Sequence, residues 1–491
     1  MVFAASLLFA TTPVFAQETS ALERADPALA PVGKEASPAR EYPALKRAID
    51  TVLAVPEIGT SRVGIHAVDV ATGEVIYSKN GDVRLNPASN IKLITGAAAL
   101  DILGPQFTFT TTLLAEKLDG ETVKGPLYVR GDGEAFLLFQ DVLGWAGELH
   151  QKGVRRIDGD IVIDDSIFDG AYLPPGFEQK DADAAYRPPI GAVSVNFNAI
   201  TAVVRPGLKQ GDPPIVRLEP PAAHIELVNN ATTGRGTRSR VDATSRPSGD
   251  RTVVTIVGTI GERSEAVAIR KRIDNPPLFA GSVFAGALEM VGIEFTGAIR
   301  TGSTPDGAIA LVTHRSQPLT NIVAAMNKWS NNFMAEQLLR VLGIDEGQAS
   351  TWDVSRRRAI DFMLRAGFEE GAFRLHNGSG LYDGNEISAR QITGLLRYMR
   401  NHRFGPEFVS SLAIAGVDGT LRTRMALEPT AGNVRGKTGT LNHVAALSGY
   451  VHTTSGRLVA FSIIFNDTPT MAWNLRRHQD AITTAIANFN E

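Results

Sequence analysis

A serine and a lysine three residues apart, Ser89 and Lys92, are the first side chains in this sequence whose types and spacing could do chemistry. They lie in the segment NPASNIKLITGAAALDILGP, where Asn86 is a good helix N-cap, Pro87 suits the first helical position and Gly104 ends the predicted helix. Backbone N–H groups in a first helical turn have no partner inside the helix, so they can stabilise an oxyanion beside the serine hydroxyl. The segment therefore predicts a nucleophile next to its own oxyanion donors.

The same helix predicts a base for that nucleophile. Its remaining residues are apolar nearly all round, which indicates a buried helix. Burial disfavours the ammonium form and lowers the pKa of Lys92, and a neutral lysine beside a serine is a general base beside a nucleophile. The alternative is a lysine that reaches solvent and a serine that only starts the helix. Because S-x-x-K is common by chance, this pair alone does not decide between them.

A second polar pair, Ser330 and Asn332, interrupts a helical stretch. The run LTNIVAAMNKW is helical, SNN breaks it and FMAEQLLRVL resumes it. A short connection between packed helices is a rigid platform for polar side chains. The alternative is that serine and asparagine are simply the preferred N-caps of the second helix.

A third motif, Lys437, Thr438 and Gly439, precedes the closing strands. A phosphate loop is rejected because Ala431 stands where that loop needs glycine and because a strand pattern follows the lysine. On a strand, Lys437 and Gly439 share one face while Thr438 and Thr440 share the other. The glycine lets a ligand backbone approach closely, and a lysine with neighbouring hydroxyls suits a carboxylate, provided that the ligand lies along the strand's edge. A plain strand entry with a solvated lysine is the alternative.

The elements that must position these motifs form helix-rich ends around a β-rich middle. A hairpin pattern (RVGIHAVDV, then EVIYS) precedes the first motif, short β-type runs fill residues 107–300, and helices return from about 318. Two clear strands and a final helix close the chain. The simplest architecture is one split domain interrupted by a long insertion. Neither G-x-S-x-G nor H-E-x-x-H occurs, which argues against a Ser-His-Asp hydrolase and a zinc peptidase.

The composition and the N-terminal residues restrict the cellular location of the protein and the kinds of chemistry that it can carry out. The net charge of −3 gives no chain-wide basic surface for nucleic acid, and the absence of cysteine excludes disulfides, thiol nucleophiles and cysteine-ligated metals. Residues 1–16 read as a signal peptide cleaved after Ala16, although no Lys or Arg precedes Arg24, and a buried N-terminal helix is the alternative. No later segment reaches about 18 apolar residues, so no integral membrane segment is expected. We expect an exported, periplasmic protein, soluble or loosely membrane-associated.

The three motifs in order, SNIK, SNN and KTGT, are the signature of active-site serine penicillin-recognising enzymes. A long gap separates the first two motifs. With this spacing the chain resembles the class C low-molecular-mass penicillin-binding proteins, the penicillin-binding protein 4-like family of D-alanyl-D-alanine carboxypeptidases/endopeptidases. Further stretches are similar to the same family: YRPPIGAVSVNFN (186–198), NGSGL (377–381) and AGVDGTL (415–421). The family often has Asp where this chain has Asn377.

The resemblance implies an α+β fold. A split DD-peptidase/serine β-lactamase-like domain, with a five-stranded antiparallel sheet covered by helices, would comprise residues 43–110 and 296–491. The inserted region, 111–295, would hold two β-rich subdomains, with roughly 119–189 nested in it.

The resemblance also implies roles for the motif residues. Ser89 would attack the carbonyl between two D-residues of a peptidoglycan stem peptide while Lys92 takes its proton, and Ser330 would pass a proton to the leaving amine. Asn332 would hydrogen-bond the acyl-side amide. β-Lactams would acylate the same serine and stay.

Substrate binding is implied for the third motif and for one acidic run. Lys437, Thr438 and Thr440 would hold the substrate carboxylate, and the backbone N–H groups of Ser89 and Thr440 would form the oxyanion hole. Asp164 or Asp165 would lie near the stem-peptide diamino acid, with a plain surface turn as the alternative.

The resemblance also implies partners, and two alternative functions share the same motifs or fold. The partners implied are peptidoglycan stem peptides and β-lactam antibiotics, without cofactor, metal or nucleic acid. A serine β-lactamase and a non-catalytic cell-wall-binding protein are the alternative functions.

Overall fold

The computed structural model describes residues 41–345 and 347–491. The predicted signal peptide, residues 1–16, lies outside these residues. Within them, no helix is both long enough and apolar enough to cross a bilayer.

The helices of the described residues have the following bounds: α1 Pro43–Leu53, α2 Ile91–Leu103, α3 Phe139–Gln151, α4 Pro276–Met290, α5 Leu319–Trp329, α6 Asn332–Val341, α7 Trp352–Arg365, α8 Ala389–Asn401, α9 Gly405–Ser410 and α10 Arg476–Ala487.

The strands have the following bounds: β1 Arg62–Asp69, β2 Val75–Lys79, β3 Thr110–Asp119, β4 Thr122–Gly131, β5 Arg156–Asp158, β6 Ile161–Asp164, β7 Ala199–Arg205, β8 Ile215–Glu219, β9 Ile225–Gly234, β10 Arg240–Ser248, β11 Arg251–Gly261, β12 Val267–Arg272, β13 Glu294–Phe295, β14 Ile299–Thr301, β15 Ile309–Arg315, β16 Ala413–Ile414, β17 Arg435–Leu441, β18 Val444–His452 and β19 Leu458–Asn466.

One antiparallel sheet joins the two ends of the chain. Its strand order is β16-β17-β18-β19-β1-β2, so the early hairpin pairs with the last strand of the chain. The central strands β18 and β19 are buried on both faces, because α8 packs on one face and α1 and α10 pack on the other. The predicted five-stranded sheet is present, and the two-residue strand β16 adds a sixth at its edge.

Helix α2 is the buried helix that the sequence predicts. Every residue from Ile91 to Leu100 is buried, and α5, α6 and α7 surround the helix. Its start differs from the prediction, since Ala88–Asn90 forms a separate 3₁₀ turn before α2 begins. The reason is local, because Ala88 has a positive φ of 46°, which an α-helix does not accept. Ser89 therefore lies in this turn, immediately before the helix.

The middle of the chain forms three further sheets. A seven-stranded sheet contains β3, β4, β5, β6, β13, β14 and β15, and two three-stranded sheets contain β7 to β12. Because β15 pairs with β3, we propose that the inserted region extends to Arg315 rather than to residue 295, and that residues 199–272 rather than 119–189 are the nested part.

Candidate active site

The amine of Lys92 lies at the centre of the site. The residue is fully buried, and its Nζ is 2.9 Å from Ser89 Oγ, 2.8 Å from Asn332 Oδ1 and 2.6 Å from the carbonyl oxygen of Ser379. An ammonium donates to all three oxygens. A neutral amine donates to the amide and the carbonyl, and its lone pair then faces the Ser89 hydroxyl, which is the arrangement a general base needs.

Burial allows the amine of Lys92 to be neutral near pH 7. Desolvation lowers the pKa of Lys92 to about 7, and the carboxylate of Glu336 acts in the opposite direction. The interpretation of Lys92 as a lysine that reaches solvent is therefore wrong, because its side chain is enclosed.

We expect acylation of the protein by a β-lactam to accelerate as the pH rises through about 7. The reason is that Lys92 loses its proton over this range and only the neutral amine accepts the serine proton. Rates of acylation measured between pH 5 and pH 9 should follow a single ionisation on the acid side. A rate independent of pH over this range would contradict a base with this pKa.

Ser330 joins the second motif to the third. It ends α5 in the left-handed conformation, with φ 56°, and its Oγ accepts a hydrogen bond of 2.8 Å from Lys437 Nζ. The N-cap of α6 is neither Ser330 nor Asn332 but Asn331, whose Oδ1 accepts from Met334 N at 3.0 Å. Because Asn331 caps the helix, the side chains of Ser330 and Asn332 on either side of it can contribute to the site.

Asn332 bridges the first motif and the inserted region. Its Oδ1 accepts from Lys92, and its Nδ2 donates to the carbonyl oxygen of Tyr186 at 2.8 Å. The stretch that begins at Tyr186 was selected in the sequence by its family resemblance alone. The hydrogen bond brings that stretch to the edge of the site.

Strand β17 carries the third motif to the same place. Lys437 is fully buried and donates to Ser330 Oγ and to the carbonyl oxygen of Thr438, so the alternative of a solvated lysine is wrong. Burial, with a further contribution from the charge of Lys92, holds the pKa of Lys437 well below its ordinary value. The hydroxyl of Thr438 donates to Thr420 Oγ1 at 2.9 Å.

The edge of β17 faces the Ser89 turn. Strand β16 pairs with β17 only at Arg435 and Gly436, so among the described residues no strand pairs with this edge beyond Gly436. At Gly439 a Cβ atom would lie 2.7 Å from the carbonyl oxygen of Pro87, so the absence of a side chain lets the strand approach the turn. Thr440 follows as an exposed residue. An extended ligand could therefore lie along this edge.

Two residues of the site were missed by sequence reasoning, Glu336 and Ser379. Ser379 contributes its backbone carbonyl to Lys92, and Glu336 accepts hydrogen bonds from the N–H groups of Gly378 and Ser379. The NGSGL stretch was singled out by its resemblance without a role. An acidic residue within the apolar run FMAEQLL was the available signal for Glu336.

Asn377, the departure from the family pattern, has a structural reason. Its Nδ2 donates to the carbonyl oxygens of Pro175 and Leu381, each at 3.0 Å. Its Oδ1 accepts from Gly380 N at 2.9 Å. An aspartate could accept from Gly380 but could not donate to the two carbonyls, so the amide fits this position.

Gly380 should be indispensable for the position of the Ser89 turn. Its φ is 75°, and a Cβ there would lie 1.9 Å from the carbonyl oxygen of Ala88. We expect Gly380→Ala to lower the free energy of unfolding by several kcal/mol, measured by urea denaturation. The matched control is Gly170→Ala, where φ is 78° but no atom lies within 4 Å, and the cost should be about 1–2 kcal/mol. Equal losses would contradict the close contact.

The carboxylates of the acidic run have hydrogen-bond partners outside the Lys92 cluster. Asp164 Oδ1 accepts from Ser166, and its Oδ2 accepts from Thr304 N at 2.8 Å. Asp165 Oδ1 accepts from Ala192 N, and burial raises the pKa of this carboxyl to about 6. Neither carboxylate is hydrogen-bonded to a residue of the three motifs, so a substrate contact by Asp164 stays a prediction.

Known proteins resemble the chain over nearly its whole length. The profile of the D-Ala-D-Ala carboxypeptidase 3 (S13) family matches residues 45–489. The D-alanyl-D-alanine carboxypeptidase of Actinomadura sp. (strain R39) is 34% identical over 479 residues, which are 95% of this chain and 87% of that protein. The crystal structure of penicillin binding protein 4 (dacB) from Haemophilus influenzae is 22% identical with a TM-score of 0.78, covering 90% of this chain and 99% of that one. The likeness confirms the predicted fold class.

Proposed function

This chain belongs to the D-Ala-D-Ala carboxypeptidase 3 (S13) family, and we propose that it hydrolyses peptidoglycan stem peptides through an acyl-enzyme on Ser89. Serine-type D-Ala-D-Ala carboxypeptidase activity is the function that this membership and the 34% identical relative support. The observation that carries the proposal is a set of hydrogen bonds between the motifs. Lys92 is hydrogen-bonded to both Ser89 and Asn332, and Lys437 is hydrogen-bonded to Ser330, so three distant motifs form one cluster.

Acylation begins at the Ser89 hydroxyl. Neutral Lys92 takes the hydroxyl proton while Ser89 Oγ attacks the carbonyl carbon between the two D-residues. The backbone N–H groups of Ser89 and Thr440 stabilise the oxyanion that forms, each contributing on the order of a hundred-fold or more in rate. The closeness of Gly439 to the Ser89 turn supports this pairing of donors.

The leaving amine receives its proton through Ser330. The Ser330 hydroxyl accepts from Lys437, so Ser330 can pass its own proton to the leaving D-alanine and take a proton from Lys437 in its place. Asn332, held by Lys92 and Tyr186, binds the amide on the acyl side. Water then hydrolyses the ester on Ser89 and restores the free serine.

The substrate carboxylate binds at Lys437, Thr438 and Thr440. A buried lysine amine next to hydroxyls on an open strand edge suits a carboxylate at the end of an extended peptide, because the carboxylate favours the ammonium form. Gly439 lets the peptide backbone approach. We further propose that the protein acts in the periplasm after export and that β-lactams acylate Ser89. Cleavage of cross-links as well as stem peptides remains part of the proposal.

The direct test uses a stem peptide that ends in D-Ala-D-Ala. The purified protein should release free D-alanine from it, and penicillin should block the release by a long-lived adduct on Ser89, detected by mass spectrometry. Rapid turnover of penicillin would favour the β-lactamase alternative. Binding of the peptide without release of D-alanine would favour a non-catalytic cell-wall-binding protein.

Lys437→Met should impair the enzyme chiefly toward substrates with a free terminal carboxylate. We expect kcat/KM for the D-Ala-D-Ala peptide to fall on the order of 10- to 100-fold, because the proposed charge-assisted hydrogen bond to the carboxylate is lost together with the hydrogen bond to Ser330. The matched control is the same peptide with a terminal carboxamide, on which the variant should show a smaller loss, the part that comes from the lost Lys437–Ser330 hydrogen bond. Equal losses on both peptides would contradict a carboxylate site at Lys437.

A further inference from the structure

Glu336 is a fully buried carboxylate on α6 that the proposed reaction does not use. Its Oε1 accepts from Ser379 N at 2.8 Å and its Oε2 accepts from Gly378 N at 3.0 Å. A buried carboxylate is costly unless it is hydrogen-bonded or paired with a charge. Burial raises the pKa of the Glu336 carboxyl, whereas these hydrogen bonds and the charge of Lys92 act in the opposite direction and favour the ionised form.

These two hydrogen bonds orient the peptide groups that meet Lys92. With the N–H groups of 378 and 379 directed to Glu336, the Gly378 carbonyl accepts from Thr95 Oγ1 at 2.7 Å. The next carbonyl, that of Ser379, accepts from Lys92 Nζ. The N–H group of Gly380 donates to Asn377. Each peptide group of this turn therefore has a fixed partner, and the Ser379 carbonyl is held on the lysine.

One charged side chain, that of Glu336, acts on Lys92 from the elements around it. Glu336 on α6 raises the pKa of Lys92. Lys437 on β17 is the second buried lysine of the cluster, and burial and the charge of Lys92 hold its own pKa well below the ordinary value. Other charged groups on the helices around α2 have partners elsewhere: Lys328 of α5 with Asp418, Arg340 of α6 with Asp169, and Arg365 of α7 with Asp101. Glu407 of α9 is half-buried and makes no hydrogen bond to Lys92. Glu336 is thus the negative charge that balances this cluster.

We propose that Glu336 is a positioning residue that holds the Ser379 carbonyl against Lys92 and stabilises the ammonium formed when Lys92 takes the Ser89 proton. The inference rests on the proposed role of Lys92 as the base. In that step the Ser89 O–H bond breaks, the proton joins the Lys92 amine, and the new positive charge is buried beside Lys437. A nearby carboxylate offsets that charge without touching the substrate.

The test is the pH profile of acylation by a fluorescent penicillin in Glu336→Gln. The neutral amide should move the acid limb of the profile about one pH unit to lower pH, because the ammonium of Lys92 loses a stabilising charge. The maximal rate should fall on the order of 10-fold or more, because Ser379 is held less firmly. A lower rate with an unmoved limb would overturn the electrostatic role, and a profile identical to the wild type would overturn both roles.

Two control variants separate charge from position. Thr95→Val removes the hydroxyl that holds the Gly378 carbonyl but no charge, so its acid limb should stay in place even if the rate falls. Glu134→Gln neutralises another buried carboxylate, one that pairs with His314, and should leave the profile as in the wild type. A shift in either variant equal to that of Glu336→Gln would overturn the assignment.

A second variant decides the matter if Glu336→Gln does not fold. Glu336→Asp keeps the negative charge, so its acid limb should lie close to that of the wild type, whereas a limb moved by about one unit would overturn the proposal. Failure of the proposed function has a different signature, because the wild-type protein itself would then form no adduct on Ser89.

Discussion

Ser89→Ala is expected to abolish both the release of D-alanine and acylation by penicillin while leaving the fold intact. The hydroxyl of Ser89 is the atom that forms the acyl bond, and no other hydroxyl lies against the Lys92 amine in the part of the chain that the structure describes. Removal of a nucleophile of this kind lowers kcat on the order of 10⁴-fold or more. Labelling with a fluorescent penicillin, wild type beside variant, measures the effect directly.

The fold of this variant should be unaffected because the change removes one oxygen from a short turn. Its circular dichroism spectrum and urea midpoint should match those of the wild type. Ser330→Ala is the matched serine control, and it should still form an adduct on Ser89, although more slowly, because it removes a proton donor and not the nucleophile. Equal labelling of the wild type and Ser89→Ala would remove Ser89 from the mechanism.

Lys92→Met is expected to slow acylation on the order of 10³-fold or more without unfolding the protein. The unbranched methionine fills most of the space of the lysine, but no group remains 2.9 Å from Ser89 Oγ to take its proton. Rates of acyl-enzyme formation by stopped-flow or gel labelling give the measurement. Acylation at the wild-type rate would contradict Lys92 as the base.

The same variant should change how stability depends on pH. The pKa of Lys92 is about 7 in the folded protein and 10.5 in its ordinary state, so unfolding takes up a proton between these values. The lysine therefore makes the wild type more stable as the pH rises from 7 toward 10.5, and the destabilisation is fully present below 7. The variant should show a smaller rise, because the contribution of Lys92 is lost while that of Lys437, whose pKa burial also lowers, remains. Lys271→Met, which removes a lysine paired with Asp183 in the inserted region, serves as the control and should keep both the rise and the acylation rate.

The local sequence pattern was sufficient to predict the helix and strands that carry the motifs or lie next to them. The apolar run after Ser89 predicted a buried helix, and α2 is buried from Ile91 to Leu100. Alternation predicted the hairpin β1–β2 and the closing strands β18 and β19. These features depend on periodicity and turn residues, which neighbouring residues specify by themselves.

The local sequence pattern was insufficient to predict a residue's role where it is compatible with more than one residue or more than one environment. Serine and asparagine at 330–332 could all cap α6, and only the packed structure assigns that role to Asn331. Likewise, a lysine on a strand can be solvated or buried, and the tertiary structure buries Lys437 and places its amine against Ser330 Oγ. The start of α2 depended on the positive φ of Ala88, which no propensity predicts.

The sequence by itself determined which side chains can react: a serine, two lysines and a set of hydroxyls and amides in three ordered motifs. Only the tertiary structure decided what those groups face. The Ser379 carbonyl that accepts from Lys92, and the Glu336 carboxylate that holds Ser379, come from stretches more than 200 residues away. The physical reason is that a pKa near 7 for an amine results from desolvation and from the charges that packing brings together, neither of which is a property of local sequence.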